Sequence, residues 1–105
     1  MAKRRTKFGN IVTSVDGRRF DSQKEAKRYV ELKLLEKAGE ISSLRMQVPF
    51  KLDVGSANIG KYYADFVYTL DGKEVVEDVK GFRTAMYKWK KKHVEAQYGI
   101  QIKET

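Results

Sequence analysis

The run Ile-Val-Thr-Ser-Val-Asp-Gly-Arg-Arg-Phe, ending at Phe20, sets two short β-prone stretches around Asp16-Gly17. Asp-Gly between such stretches is the strongest short-range signal for a two-residue hairpin. The pattern then turns helical. Ser22-Gln-Lys-Glu25 has capping-box spacing, good helix formers continue through Glu36, and Gly39 supplies a stop. Met46 to Val54 reads as a strand whose Pro49 assigns it to an edge or a bulge, and Gly55 to Gly60 reads as a loop. Two β-rich runs, Lys61 to Leu70 and Lys73 to Lys80, flank a second Asp-Gly turn at Asp71-Gly72. The segment from Arg83 to Tyr98 is helix-compatible, with Met86, Trp89, His93 and Ala96 spaced for one inward face. Gly99 stops it, and Ile100 to Lys103 supplies a last short strand.

The order hairpin, helix, strands, helix, strand predicts a mixed α/β (α+β) domain with a central sheet. At 105 residues the chain is expected to hold one core. The expected organisation is a basic flexible arm over 1–9 and one domain over 10–105. There is no cysteine and one histidine, His93, which excludes disulfides, thiolate metal sites and paired imidazoles. A metal site would be built from oxygens and would favour Mg²⁺ or Mn²⁺. No apolar run is long enough to span a bilayer and the start lacks a signal-peptide pattern, so a cytoplasmic location is expected.

The formal charge of +8 points to a polyanionic partner. It is concentrated in two acid-free segments. One holds Lys3, Arg4, Arg5 and Lys7; the other holds Arg83, Lys88, Lys90, Lys91 and Lys92, interleaved with Tyr87 and Trp89. Outside them the chain is slightly acidic, and the acids carry the candidate chemistry.

Counting equal steps away from Asp71-Gly72 sets Asp65 opposite Asp78, and alternation puts Lys80 on the face of Asp78, opposite Tyr63. Tyr63 and Val67 share the face of Asp65, and Val76 that of Asp78, which predicts partial burial. Two carboxylates facing each other across strands destabilise a sheet unless a cation or a shared proton compensates. A bound Mg²⁺ would do so; so would Lys80 in an ordinary salt-bridged strand. Glu25 has two readings as well, a helix cap for Ser22 or an acid on the flank of Tyr29 and Leu32 within reach of a metal. Glu77 points the other way, toward Phe66.

Tyr63-Ala64-Asp65-Phe66 followed by Val75-Val76-Glu77-Asp78-Val79-Lys80-Gly81 closely resembles the core motif of the PD-(D/E)XK nuclease superfamily. Asp65 matches its first aspartate, Asp78-Val79-Lys80 its acid-x-Lys element and Glu25 its upstream helix glutamate; Ala64 stands where a proline is frequent. Spacing and length look most like small phage nucleases, including Holliday-junction resolvases of the endonuclease I type. The resemblance implies a restriction-endonuclease-like mixed sheet flanked by helices, with the acidic hairpin at its centre. It also implies cleavage of DNA by metal-activated water. Asp65 and Asp78 would hold Mg²⁺ with the Val79 carbonyl and Glu25, and Lys80 would orient water or stabilise charge.

Arg4, Arg5, Arg83, Thr84, Lys88, Lys90, Lys91 and Lys92 would track phosphates, favouring structure-selective over sequence-specific cutting. Junction resolution would require a homodimer, whereas a nickase would not. The competing readings are a non-catalytic basic DNA-binding protein on the same fold and a nuclease acting on RNA.

Overall fold

The computed structural model describes residues 3–5, 11–79 and 83–105. It is an α+β structure in two compact units, Met1–Glu40 and Ile41–Thr105.

In the first unit β1 (Lys3–Arg5), β2 (Ile11–Val15) and β3 (Arg18–Phe20) form an antiparallel sheet in that order. Asp16 and Gly17 take φ of 53° and 74°, the left-handed pair that a type I′ turn demands. Lys3–Arg5, expected within a flexible arm, is therefore paired to β2, while Lys7 and Phe8 lie outside the described residues. Helix α1 (Gln23–Lys37) starts as predicted, with the Ser22 Oγ accepting from the Glu25 N–H at 3.1 Å. Ala26, Tyr29 and Leu32 form its buried stripe. Tyr29 packs on Phe20 with ring centroids 5.0 Å apart, and its hydroxyl donates to Asp16 Oδ2 at 3.3 Å.

The second unit is a four-stranded sheet, β4 (Ser42–Val54), β5 (Ala57–Leu70), β6 (Lys73–Asp78) and β7 (Ile102–Glu104), in that spatial order. The first two pairings are antiparallel. The last is parallel, with α2 (Ala85–Tyr98) as its crossover. Strand β4 is an edge strand, where Pro49 removes no ladder bond that the sheet needs. Asp71 and Gly72 have φ of 51° and 76°, and the ladder they start runs from Leu70↔Lys73 to Phe66↔Glu77, the register counted from the sequence. Leu52, Tyr62, Ala64, Val67, Val76, Val94 and Ile102 form one buried cluster, with Val48, Phe50, Tyr87 and Ile100 against it.

Two further expectations are corrected. The loop predicted over Gly55 to Gly60 shrinks to Gly55 and Ser56, because β5 begins at Ala57. The pairs Asp53↔Asn58 and Leu52↔Gly60 leave Ile59 as an extra residue, a bulge. The Asn58 amide holds it, its Nδ2 lying 3.0 Å from Asp53 Oδ1 and 3.2 Å from the Gly60 carbonyl.

The second correction concerns the rotation of α2. Met86, Trp89 and Ala96, predicted inward, are exposed, His93 is half-buried, and Val94 with Tyr87 meets the sheet. Val94 and Tyr87 are seven apart, two turns on one face, and the long stems of Lys90 and Lys91 flank them.

Val94→Ala is accordingly expected to lower the unfolding free energy by about 2 kcal/mol, since it removes two buried carbons from a packed cluster. Met86→Ala should change it by less than about 0.5 kcal/mol. Urea unfolding of the two variants checks this, and the opposite ranking would mean that the helix presents its other face.

Candidate active site

Strand alternation breaks where the acids sit. Ala64 and Val67 are three apart on β5 yet enter the same buried cluster, so the two-residue period slips between them, at Asp65-Phe66. On β4 the matching break is Gln47, with φ of 52° inside a strand. A left-handed non-glycine residue there is strained backbone held by its surroundings. The bulge at Ile59 selects Gln47 as the neighbour of Asp65: beyond it the pairs run Val48↔Ala64 and Met46↔Phe66, with Gln47 and Asp65 between. Without the extra residue Asp65 would face Met46.

At this break the two aspartates clasp each other's strands. The Asp65 N–H donates to Asp78 Oδ1 at 3.1 Å, and the Val79 N–H donates to Asp65 Oδ2 at 2.9 Å. Gln47 Nε2 donates to Asp65 Oδ1 at 3.0 Å. Side chains thus take over just where the main-chain ladder ends, at Phe66↔Glu77. Asp78 is fully buried and Asp65 half-buried, so both carboxylates stand at the edge of the core. Burying a carboxylate is costly unless donors meet it, and main-chain N–H groups do so here. Val67 and Val76, expected to contribute to burial, are both in the core cluster. Tyr63, expected to help, is instead 52% exposed, because it lies on the other side of the slip from Val67.

Glu77 points away from the acids as read from alternation. It is fully buried, and the Tyr68 hydroxyl donates to it at 2.7 Å. Glu25 lies in the first unit, half-buried beside Tyr29. Lys80 and Gly81 lie outside the described residues, as does any geometry that depends on them. Among the described residues no three His, Cys, Asp or Glu side chains gather into a cation cage.

A second cluster, which the sequence reading missed, adjoins Asp78. Glu104 pairs with Asp78 across β6 and β7, and the Thr105 N–H donates to the Asp78 carbonyl at 2.9 Å. The Glu104 carboxylate accepts from the Tyr87 hydroxyl at 2.7 Å and from Arg83 Nε at 3.1 Å. Arg83 Nη2 stands 3.0 Å from its other oxygen, and Lys91 Nζ 3.8 Å. The Tyr87 bond, then Arg83 and Lys91, hold Glu104 below the usual carboxylate range. Burial, the bond to Glu104 and the Asp78 charge push the Tyr87 hydroxyl well above its ordinary value. No short-range pattern links residues 83, 87 and 104; only the parallel return of β7 brings them together.

The basic residues divide. Arg4 and Arg5 belong to β1. Arg83 and Lys91 are engaged by Glu104, and Lys90 Nζ donates to the Lys61 carbonyl at 3.1 Å. Thr84 caps α2, its Oγ1 accepting from the Tyr87 N–H at 3.0 Å, and Lys88 and Lys92 are exposed. Among the described residues no helix is long and apolar enough to cross a membrane.

A family model described as "Protein of unknown function (DUF1064)" matches residues 5–105. No curated protein and no solved structure matches the chain.

Because its folded pKa is depressed, Glu104 contributes stability that is present at neutral pH and lost progressively below about pH 4, as the carboxylate takes up a proton. Glu104→Gln should therefore lower the urea midpoint at pH 7 and narrow its fall between pH 7 and acid. An unchanged acid slope would mean that Glu104 is not held in its charged form.

Proposed function

The chain belongs to the DUF1064 family, and we propose that it is a metal-dependent endodeoxyribonuclease that hydrolyses phosphodiester bonds in branched DNA. The observation that carries this reading is the Asp65–Asp78 clasp where the ladder between two neighbouring central strands ends, Asp78 standing one residue before Val79 and two before Lys80. The arrangement β4-β5-β6-β7, with α2 crossing over to a parallel β7, supports the restriction-endonuclease-like reading of the motif. Glu25 enters through the resemblance alone.

The donor set fits a small hard cation. Asp65, Asp78 and the Val79 carbonyl are all oxygens, and Mg²⁺ characteristically binds through one or two carboxylates while keeping several waters. A carboxylate oxygen carries two lone pairs, so accepting one N–H is compatible with meeting a cation as well. When bound, Mg²⁺ would lower the pKa of an attacking water and offset phosphate charge.

The chain's own residues do the rest. The Val79 and Asp65 N–H groups and Gln47 fix the carboxylates in place, so no rearrangement is needed when phosphate arrives. The Lys80 ammonium would orient the water or meet the charge that develops on the phosphoryl oxygens. Lys88 and Lys92 would bind phosphates outside the reacting centre, and Arg83 and Lys91, drawn to Glu104, would form the rim between them and Asp78.

Incubation with Mg²⁺ or Mn²⁺ and a four-way junction, a flap and linear duplex tests the reading. The junction and flap should be cut in preference to the duplex. Asp65→Asn and Asp78→Asn should reduce cleavage to background while DNA binding persists, and Lys80→Ala should slow it about 10²–10³-fold. If none of the substrates is cut with either metal, the chain is a DNA-binding protein on this fold and the hydrolase reading is wrong. Matched RNA substrates, cut in preference, would move the assignment to RNA.

A further inference from the structure

Helix α2 is tied down on two sides and open on a third. Toward the β4–β5 hairpin, Lys90 Nζ donates to the Lys61 carbonyl at 3.1 Å and His93 Nε2 to the Asp53 carbonyl at 2.8 Å. Gln97 bonds Asp53 twice, at 2.8 and 3.1 Å, and the Tyr98 hydroxyl donates to the Lys51 carbonyl at 2.8 Å. Toward β7, Arg83, Tyr87 and Lys91 converge on Glu104. The stripe left outside these contacts is Ala85, Met86, Lys88, Trp89, Lys92 and Ala96, all exposed.

Trp89 is the only tryptophan in the chain, and it is 49% exposed. Its ring stands 5.5 Å from that of His93, tilted by 42°, and the His93 bond to Asp53 fixes that backing ring. One turn earlier on the stripe Ala85 carries only a methyl group. Lys88 and Lys92, one turn apart, flank the indole and make no ion pair among the described residues. No acid occurs from Arg83 to His93.

We propose that Trp89, backed by His93 and flanked by Lys88 and Lys92, is a stacking platform for an unpaired nucleotide base. The chain would then prefer DNA carrying a single-stranded tail to blunt duplex. This rests on the reading that DNA is the partner and deepens it by naming the structure recognised. Every base offers a π face to an indole, and ammonium groups at either side meet the phosphates before and after it. Within a paired duplex only the terminal bases expose such a face. A protein partner fits less well, because the lysines that ring the indole are depleted at protein interfaces, where a tryptophan anchor is sealed from water by its neighbours.

The full chain without divalent metal is mixed with blunt duplex and with the same duplex carrying an oligothymidine tail. Binding is followed by anisotropy of labelled DNA, and the indole by its intrinsic fluorescence, which reports Trp89 alone. Tailed DNA should bind about tenfold more tightly than blunt and quench the fluorescence. Trp89→Ala should erase that preference by weakening tailed DNA far more than blunt, and Trp89→Phe should keep part of it. Lys88→Gln combined with Lys92→Gln should weaken both DNAs alike and reduce the salt slope by about 2.

Equal binding of the two DNAs by the wild type, a preference that survives Trp89→Ala, or saturation without a change in fluorescence would each overturn the proposal. So would a fluorescence change that follows protein concentration alone, which would assign the stripe to contact between copies of the chain. The outcome is separable from hydrolysis. A tail preference in a protein that cuts nothing leaves the platform standing, whereas cleavage without that preference removes only the platform.

Discussion

Two negative side chains meet at the end of a hairpin, and the second unit is organised around accommodating them. Opposed carboxylates repel, and a regular ladder would leave that repulsion in place. Here the ladder stops at Phe66↔Glu77, and each acid instead receives a main-chain N–H of the other strand, Asp65 to Asp78 and Val79 to Asp65. A carboxylate that accepts fixed N–H dipoles is favoured in its charged form, the form in which a carboxylate can meet a cation.

The rest of the sheet sets the conditions for that clasp. The extra residue at Ile59 shifts β4 by one, so that Gln47 rather than Met46 stands beside Asp65. Asn58 holds the bulge from within the hairpin, and Gln97 and His93 hold it from α2 through Asp53. The same helix reaches the other acid, because Tyr87 in its first turn and Arg83 just before its cap meet Glu104, the neighbour of Asp78. Helix α2 is therefore a strut with two fastened ends, one setting the register at Asp65 and one bracing β7 against Asp78. The stripe between them is left to solvent.

Much of this was legible in the sequence, for identifiable reasons. Asp71-Gly72 and Asp16-Gly17 specify type I′ turns by their tolerance of positive φ, and a two-residue turn fixes the register of all that follows it. Hence the juxtaposition of Asp65 and Asp78 could be counted. Gly55-Ser56 carries no comparable signal, and a bulge shifts pairing without a residue type that announces it, so β4 was foreseen only in outline and Gln47 not at all. The spacing of Met86, Trp89, His93 and Ala96 defines a face of α2 but does not say which face the strands meet. Met86 and Trp89 are larger than Val94, but Val94 and Tyr87 share the face that the strands meet, and lysine stems cover the flanks. Glu104 depended on a parallel return that no local pattern encodes.

If the clasp serves hydrolysis, Asp65 and Asp78 act together on one hard cation. Thermal unfolding in Mg²⁺ against chelator, for the wild type and for Asp65→Asn and Asp78→Asn, tests it most directly, because a cation bound only by the folded chain raises the melting temperature by mass action. A concentration-dependent rise is expected in the wild type and should be lost in both variants. A wild-type melting temperature indifferent to Mg²⁺ and Mn²⁺, or a rise that survives in both variants, would contradict it.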